Sequence, residues 1–391
     1  MIDIKHKREC CGCEACVQVC PKNCIDLSAD SQGFLYPVVS TEFCIDCGLC
    51  ENVCPVINKA ERSKKVPASL YAVKSTDDFI REQSSSGGFF SQLADFVLSK
   101  EGVVYGAAFD DDFNVCHIRV DKITDLPKLR GSKYVQSRIG HTFSQCKNDL
   151  KEGKLVLFTG TPCQISALGH FLSKEYDNLI KVEVVCHGVP SPMLYQQYLK
   201  ETIIQDIEDR TITKVSFRTK LGSWKKYFFT VEYEERGKIH EYRECITDSL
   251  YMKGFLNDLF IRPSCFECRA KNFSSGADFT IADFWGQEYT FPEFDDDKGV
   301  SAVFVNTIKA QRMFDYISVL TIERPFSDFI KYNPSLVKSP KKTLLYSRFW
   351  SLYGESNDVR SSIEETFHVD IFSRILHKFK IIFTQLLKNI S

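Results

Sequence analysis

The 391-residue chain lacks an excess of either charge: 50 basic residues meet 51 acidic ones, for a formal net charge of −1. Such a balance offers no broad basic field for a polyanion, so no nucleic-acid partner is expected. Long apolar runs are missing as well. No stretch reaches the roughly 18 residues a membrane-spanning helix needs, and the polar start MIDIKHKREC has no apolar core of a secretory signal. The expectation is a cytoplasmic protein without a membrane span. Hydrophobic residues make up 43% of the chain and aromatics 13%, enough to build two or three domains with buried cores.

Cysteine is what the chain does have: 17 in all, 10 of them before residue 55. In a reducing compartment, thiols serve metals or catalysis more often than disulfides. Residues 10–21 read CCGCEACVQVCP, which gives Cys10, Cys13, Cys16 and Cys20 the spacing C-x2-C-x2-C-x3-C, followed by Pro21. Residues 44–55, CIDCGLCENVCP, repeat the pattern with Cys44, Cys47, Cys50, Cys54 and Pro55. Three cysteines so closely spaced wrap one loop around three corners of a 4Fe-4S cubane, and in two-cluster ferredoxins the fourth cysteine of each run ligates the other cluster. Cluster one therefore takes Cys10, Cys13, Cys16 and Cys54, and cluster two takes Cys44, Cys47, Cys50 and Cys20. Gly12 and Gly48 let the backbone turn closely around each core. Structural zinc would pair two C-x2-C knuckles across a long gap instead. Cys11 and Cys24 fall outside the spacing and read as bystander thiols, or for Cys24 a small buried hydrophobe.

Residues 58–69, NKAERSKKVPAS, are charged, contain Pro67 and read as a linker. Beyond them the pattern is mixed α and β. LYAV at 70–73 is a candidate strand, and SSSGG at 84–88 precedes Phe89, Phe90, Leu93, Phe96 and Val97 on one helical face. This turn could present amides to a phosphate or serve simply as a helix cap. Residues 154–172 and 179–199 each read as strand, turn and helix, the second opened by Ser191 and Pro192. If their strands run parallel, Cys163 and Cys186 lie at the carboxyl edge, where open α/β sheets bind ligands. Residues 215–220, 227–234 and 238–245 read as β segments, the last two joined by Glu235, Arg236 and Gly237, followed by a helix near 248–260 and a strand at 278–285. Cys265 and Cys268 form a further C-x2-C. Together with Cys163 and Cys186 they amount to four thiols in Gly- or Pro-flanked turns. Spacing alone leaves a third cluster, free thiols and a lone zinc knuckle all open. Cys116, Cys146 and Cys245 carry no pattern.

The constellation SSSGG, KYVQS at 133–137, FTGTPCQ, CHGVPS, SFR, RPSCFEC and ADFWG, spread over roughly residues 68–305, resembles the coenzyme F-420 hydrogenase and dehydrogenase beta-subunit family, in its form with a fused dicluster ferredoxin. The resemblance implies FAD and a third 4Fe-4S cluster held by Cys163, Cys186, Cys265 and Cys268. It places Ser86, Gly87 and Gly88 near the flavin, with Lys133 as a flavin or phosphate contact. The implied architecture is multidomain, α+β to α/β: a dicluster module at 1–58, a flavin-associated region at 68–148, an iron-sulfur region at 152–325 and a helical tail at 326–391. The implied function is an iron-sulfur flavoprotein oxidoreductase that couples hydride chemistry at FAD to one-electron transfer, with a redox protein or a deazaflavin- or nicotinamide-type hydride carrier as partner, as a monomer or an oligomer. The competing reading is a non-catalytic electron carrier docked on a partner enzyme. No catalytic acid or base is assigned, because His187 and the other histidines form no acid-base arrangement. The tail from Ile371 to Ser391, with Arg374, Lys378, Lys380 and Lys388, reads as an amphipathic helix lying on a membrane surface, a partner or its own protein.

Overall fold

The computed structural model describes residues 1–58, 69–204 and 209–368. Most of the linker segment and the tail from Ile371 to Ser391 lie outside the described residues.

The amino-terminal module is small. A one-turn helix α1 (Ala15–Val19) leaves the first cysteine loop, and α2 (Leu49–Asn52) leaves the second. Between them β1 (Ile25–Ala29) and β2 (Leu35–Val39) pair antiparallel. Its interior is mostly sulfur: Cys16, Cys24, Cys50 and Cys54 are buried with Ile2 and Ile25. So few aliphatic side chains make a poor core for a module this size, which is the situation in which small domains depend on a metal centre.

The larger part is built on one eight-stranded sheet. β3 (Ser69–Ser75) comes first, followed by the short α3 (Asp78–Glu82) and by α4 (Phe89–Ser99). β4 (Val103–Phe109), β5 (Val115–Val120) and α5 (Thr142–Lys151) follow. The two strand-turn-helix units read from the sequence are β6 (Val156–Gly160) with α6 (Pro162–Leu172) and β7 (Leu179–Val184) with α7 (Pro192–Leu199). An antiparallel three-stranded sheet then forms from β8 (Arg210–Lys220), β9 (Tyr227–Glu235) and β10 (Lys238–Cys245), and α8 (Leu250–Leu256) follows. β11 (Phe279–Asp283), β12 (Ser301–Val305) and β13 (Val319–Arg324) return to the large sheet. Its strand order is β13-β3-β12-β11-β7-β6-β4-β5. The central strands β11, β7, β6 and β4 are parallel, with antiparallel strands on both flanks.

Burial explains the central strands. Val156, Leu157 and Phe158 of β6 are buried in succession, as in a strand covered on both faces. On one face α4 packs Phe89, Leu93 and Val97 against Val73, Leu157, Val182 and Phe279. On the other, α5 and α6 bring Phe143, Leu150, Ile165, Leu168 and Phe171 against Tyr105 and Phe158. Each such side chain contributes about 1.5–3 kcal/mol by leaving water. The three-stranded sheet forms its own core with α7, α8 and the helices Leu344–Ser356 and Val359–Phe367, centred on Phe217, Phe229, Tyr198, Tyr251, Phe349 and Ile363.

The module is bound to this body through α1 and the loops around it. Glu14 has φ 58°, an unusual conformation for a residue with a side chain. The strain has a use, because the carboxylate is buried and accepts bonds from Arg138 Nε at 2.6 Å and from the amides of Ile139 at 3.3 Å and Gly140 at 3.0 Å. Gln18 Oε1 accepts from the Ser144 amide at 3.1 Å. Gly12, also at positive φ, has room for no side chain: a Cβ would collide with the Gln136 amide and stand 2.7 Å from Arg262 Nη1.

Candidate iron-sulfur centres

The eight patterned thiols fall around two cavities. One is lined by Cys10, Cys11, Cys13, Cys16 and Cys54 together with Ile2, Ile4, Leu27, Leu35, Pro37 and Val56. The other is lined by Cys20, Cys24, Cys44, Cys47 and Cys50 with Met1, Pro21, Ile25, Val39, Ile45 and Leu49. Each lining contains one interleaved set read from the spacing and one thiol more. Among the described residues, no three His, Cys, Asp or Glu side chains close on a point that one ion could occupy. A tetrahedral zinc at about 2.3 Å from each sulfur would demand such a point. A donor set of four thiols spread around an apolar cavity fits a larger inorganic core.

Backbone amides point at these sulfurs. The Ile2 amide lies 3.2 Å from Cys50 Sγ and the Asp46 amide 3.4 Å from Cys44 Sγ. Such bonds stabilise charge on sulfur and set potential. Burial pushes the Cys16 thiol up to about 12, so filling cavity one has to displace protons that the apolar surroundings retain. Cys24 is buried with its sulfur 3.4 Å from that of Cys20, a fifth thiol on cavity two.

The second thiol group also assembles. Cys163 sits in the first turn of α6, Cys186 just beyond β7, and Cys265 and Cys268 at the turn Pro263–Glu267. Because β6 and β7 are parallel, the first two leave the same sheet edge. Burial holds the Cys186 thiol well above its usual range, and Cys265, Cys163 and Cys268 add to the effect as electrostatic neighbours. Burial likewise raises Cys265 to about 12 and Cys268 to about 11. Thr161 Oγ1 lies 3.2 Å from Cys163 Sγ. Lys271 donates to the carbonyl oxygens of Cys186 and Ser335, which places its charge beside the group.

Two residues between these sites were not legible from spacing. The Cys11 thiol faces both Cys13 and Cys163; the Cys13 contact and burial hold it well above its usual range, against the opposing pull of Cys163. Far from being idle, it stands where cavity one and the second thiol group meet. Arg262 is 1% exposed and, among the described residues, makes no carboxylate bond: Nε donates to Cys10 O at 2.7 Å, Nη2 to Leu35 O at 2.9 Å and Nη1 to Gln136 Oε1 at 3.0 Å. Cys10, Cys11 and Cys265 are among its charge neighbours. A buried cation without a carboxylate needs negative charge nearby, and thiolates on either side would provide it.

The predicted flavin cradle looks different. Ser86 Oγ donates to Val300 O at 2.8 Å, and the Gly87 amide donates to Ser301 Oγ at 3.0 Å. A Cβ on Gly87 would collide with Val73 O, so the glycine is there for close packing on the sheet. Gly88, at φ 89°, caps α4. Lys133 Nζ donates to the carbonyls of Arg130 and Gly131, and burial lowers it to about 8. The turn's own donors are therefore engaged internally, as in a structural cap.

An anionic aromatic ligand is better matched by the neighbouring side chains. Trp224 Nε1 donates to Ser85 O at 2.9 Å, and the Trp224 and Trp285 rings stack at 4.4 Å. Arg218 is buried, bonded to Asp283 and 4.4 Å over the Tyr227 ring, yet among the described residues its Nε and Nη2 have no partner. Lys220, lowered by burial to about 7, donates among the described residues to the carbonyls of Arg81, Ser86 and Lys298. Unpartnered guanidinium nitrogens and lysines without carboxylates, set beside stacked indoles, fit a phosphate-bearing ring cofactor. The sequence did contain a signal, since SFR supplies Arg218 and ADFWG supplies Asp283 and Trp285.

Comparisons with known proteins divide the chain in the same way. Residues 153–323 match the model for the carboxyl-terminal part of the coenzyme F420 hydrogenase/dehydrogenase beta subunit, and residues 9–58 match the 4Fe-4S dicluster domain. An uncharacterized protein of Methanocaldococcus jannaschii is 29% identical over 210 residues, covering 45% of this chain and 56% of that protein. A 7Fe ferredoxin of Hydrogenibacillus schlegelii is 52% identical over 42 residues, 11% of this chain and 47% of its own. A ferredoxin of Mycolicibacterium smegmatis is 36% identical over 89 residues, 22% of this chain and 71% of its own. The chain thus spans about half the length of the first two relatives. A chain of the xenon-derivatised F420-reducing [NiFe] hydrogenase complex from Methanosarcina barkeri aligns with TM-score 0.43 at 18% identity, over 78% of this chain and 91% of that one.

Proposed function

Since this chain belongs to the coenzyme F420 hydrogenase/dehydrogenase beta-subunit family and carries a fused 4Fe-4S dicluster domain, we propose that it is an iron-sulfur flavoprotein oxidoreductase with three cluster sites in line. The clusters would pass single electrons while FAD accepts or donates one or two, which couples hydride-level chemistry to one-electron traffic. Cys163, Cys186, Cys265 and Cys268 would hold the inner cluster, Cys10, Cys13, Cys16 and Cys54 the middle one, and Cys20, Cys44, Cys47 and Cys50 the outer one. The observation that carries this order is the contact of Cys11 with Cys163, which sets the inner thiol group directly against the loop of the middle site.

The protein's own contribution is positional and electrostatic. Arg262 and Lys271 place positive charge beside the inner and middle sites, where added electrons need it. Ile2, Ile4, Leu27 and Val56 keep water from the middle cavity. The Arg218 nitrogens that lack partners among the described residues would take the anionic part of FAD, with Trp285 beside them for its ring system. A protein or a deazaflavin- or nicotinamide-type hydride carrier would exchange electrons with the chain, in the cytoplasm. Among the described residues, no helix is long and apolar enough to cross a membrane.

The test is anaerobic purification followed by flavin assay and stepwise reduction with a hydride donor. The proposal expects about one FAD per chain and bleaching of both flavin and cluster absorbance. Iron and sulfide without flavin would instead favour the plain electron carrier, a reading that the internally bonded Ser86 and Gly87 keep in view.

A further inference from the structure

The bonds that tie the module to the body fall on residues 8–18, 32–35 and 56: Arg8 to Glu267, Cys10 and Cys11 to Arg262 and Gln136, Glu14 to Arg138, Gln18 to Ser144, Gln32 to Ser191 and Tyr346, Leu35 to Arg262, and Val56 to Arg269. Among the described residues, the opposite end around cavity two takes no part in these bonds. That end is open. Cys47 is exposed, and beside it Phe43 is 61%, Ile45 58% and Leu49 40% exposed. Ile45, Cys47 and Leu49 line the mouth of the cavity and the exposed Phe43 adjoins its ligand Cys44 in sequence, a concentration of apolar side chains that isolated surface hydrophobics do not explain.

Its rim carries three acids against two positive groups, Lys22 and the amino terminus. Residues 41–52 contain Glu42, Asp46 and Glu51 and no lysine or arginine. Lys22 lies across the cavity, and the amino terminus is engaged by Asp46 at 2.9 Å and Glu51 at 3.5 Å. An apolar centre within an acidic rim, over the outermost of three redox sites, has the design of a transient electron-transfer contact: small area, with long-range attraction for approach.

We propose that this face, Phe43, Ile45 and Leu49 around Cys47 with Glu42 and Asp46 at its edge, is the docking surface for a one-electron carrier protein whose exposed redox edge is ringed by lysines or arginines. The inference rests on the function proposed above. With a cluster held by Cys20, Cys44, Cys47 and Cys50, the exposed Cys47 side would face the carrier, and the one electron the cluster gave up would be the one the oxidised carrier gained, with no bond formed or broken. The apolar collar removes water from the contact, and the acids orient the carrier before it touches.

The test uses the full chain, reduced anaerobically and mixed with oxidised cytochrome c as a lysine-ringed probe in a stopped-flow instrument. The second-order rate should fall steeply as salt is raised, and Glu42→Lys and Phe43→Ser should each lower it about tenfold at low salt. Dithionite bleaching of the iron-sulfur absorbance should be unchanged in both variants, which shows that the clusters survive. Unaltered rates in both variants, or a rate indifferent to salt, would overturn the docking surface while leaving the proposed function standing. A dimer that Phe43→Ser dissociates would overturn it too, by naming a second copy as the occupant. Failure of the unmodified chain to bleach at all would overturn the underlying function, and the docking surface with it.

Discussion

Cys11 and Cys163 are adjacent in space and different in role. If the inner site is held by Cys163, Cys186, Cys265 and Cys268, then Cys163→Ala should remove about four of about twelve irons, while Cys11→Ala should remove none. Iron per chain after anaerobic reconstitution distinguishes them. Arg262 makes a second prediction at this scale. Its guanidinium is buried beside Cys10, Cys11 and Cys265 with no carboxylate, so Arg262→Gln takes positive charge away from sites that gain electrons. The reduced state loses more than the oxidised one, and the midpoint potential of the neighbouring site should become more negative in a redox titration. An unchanged potential would mean that the charge is screened from the cluster. Glu14 is structural by the same reasoning: Glu14→Ala leaves two amides and Arg138 without their acceptor and should cost about 1–3 kcal/mol in thermal or denaturant unfolding.

Elements were legible in the sequence to the degree that their signal was local. The doubled C-x2-C-x2-C-x3-C runs define two loops without reference to anything else, and the strand-turn-helix units at β6–α6 and β7–α7 follow from short apolar runs ended by Gly, Thr and Pro. The β4–β5 hairpin was missed, since its turn Asp110-Asp111-Asp112-Phe113-Asn114 holds no glycine and relies on Asp110 accepting the amides of Asp112 and Asn114. The meeting of β8 with β11, where Arg218 pairs with Asp283, was out of reach for another reason: 65 residues separate the partners, and no periodicity encodes a long-range ion pair. Arg218→Gln strands a buried carboxylate and should destabilise the protein by about 3–5 kcal/mol. Asp283→Asn leaves the buried Arg218 charge without its counter-ion and should cost a similar amount, read by the same denaturant titration. The network joining β4, β5 and α5 predicts the acid limit. Burial would raise Asp149, but bonds from Arg119, Lys154 and Tyr105 outweigh it and hold the carboxyl down at about 2. Its contribution is present above pH about 4 and is lost as pH falls toward 2, so Asp149→Asn should flatten that part of the stability curve measured by denaturant titration.

At the scale of the whole molecule, the thiols that sequence spacing left in two unrelated groups become neighbours, because Cys11 of the first run faces Cys163 of the second group. What the sequence could not convey was contact between distant segments: Cys11 against Cys163, Arg262 beneath Cys10, and Glu14 at positive φ locking α1 to the body. A sheet edge that brings Cys163 and Cys186 together is a property of parallel strands and cannot be read from either strand alone. The core of the module is made largely of cysteine, Cys16, Cys24, Cys50 and Cys54 with Ile2 and Ile25, so its stability should rise when the patterned thiols are loaded with iron and sulfide.

Iron and acid-labile sulfide per chain, determined on anaerobically reconstituted protein, test the central claim most directly. Three cluster sites in line require about twelve irons and about twelve sulfides. About eight of each would show that the second thiol group holds no cluster, and zinc in place of iron would contradict the account altogether.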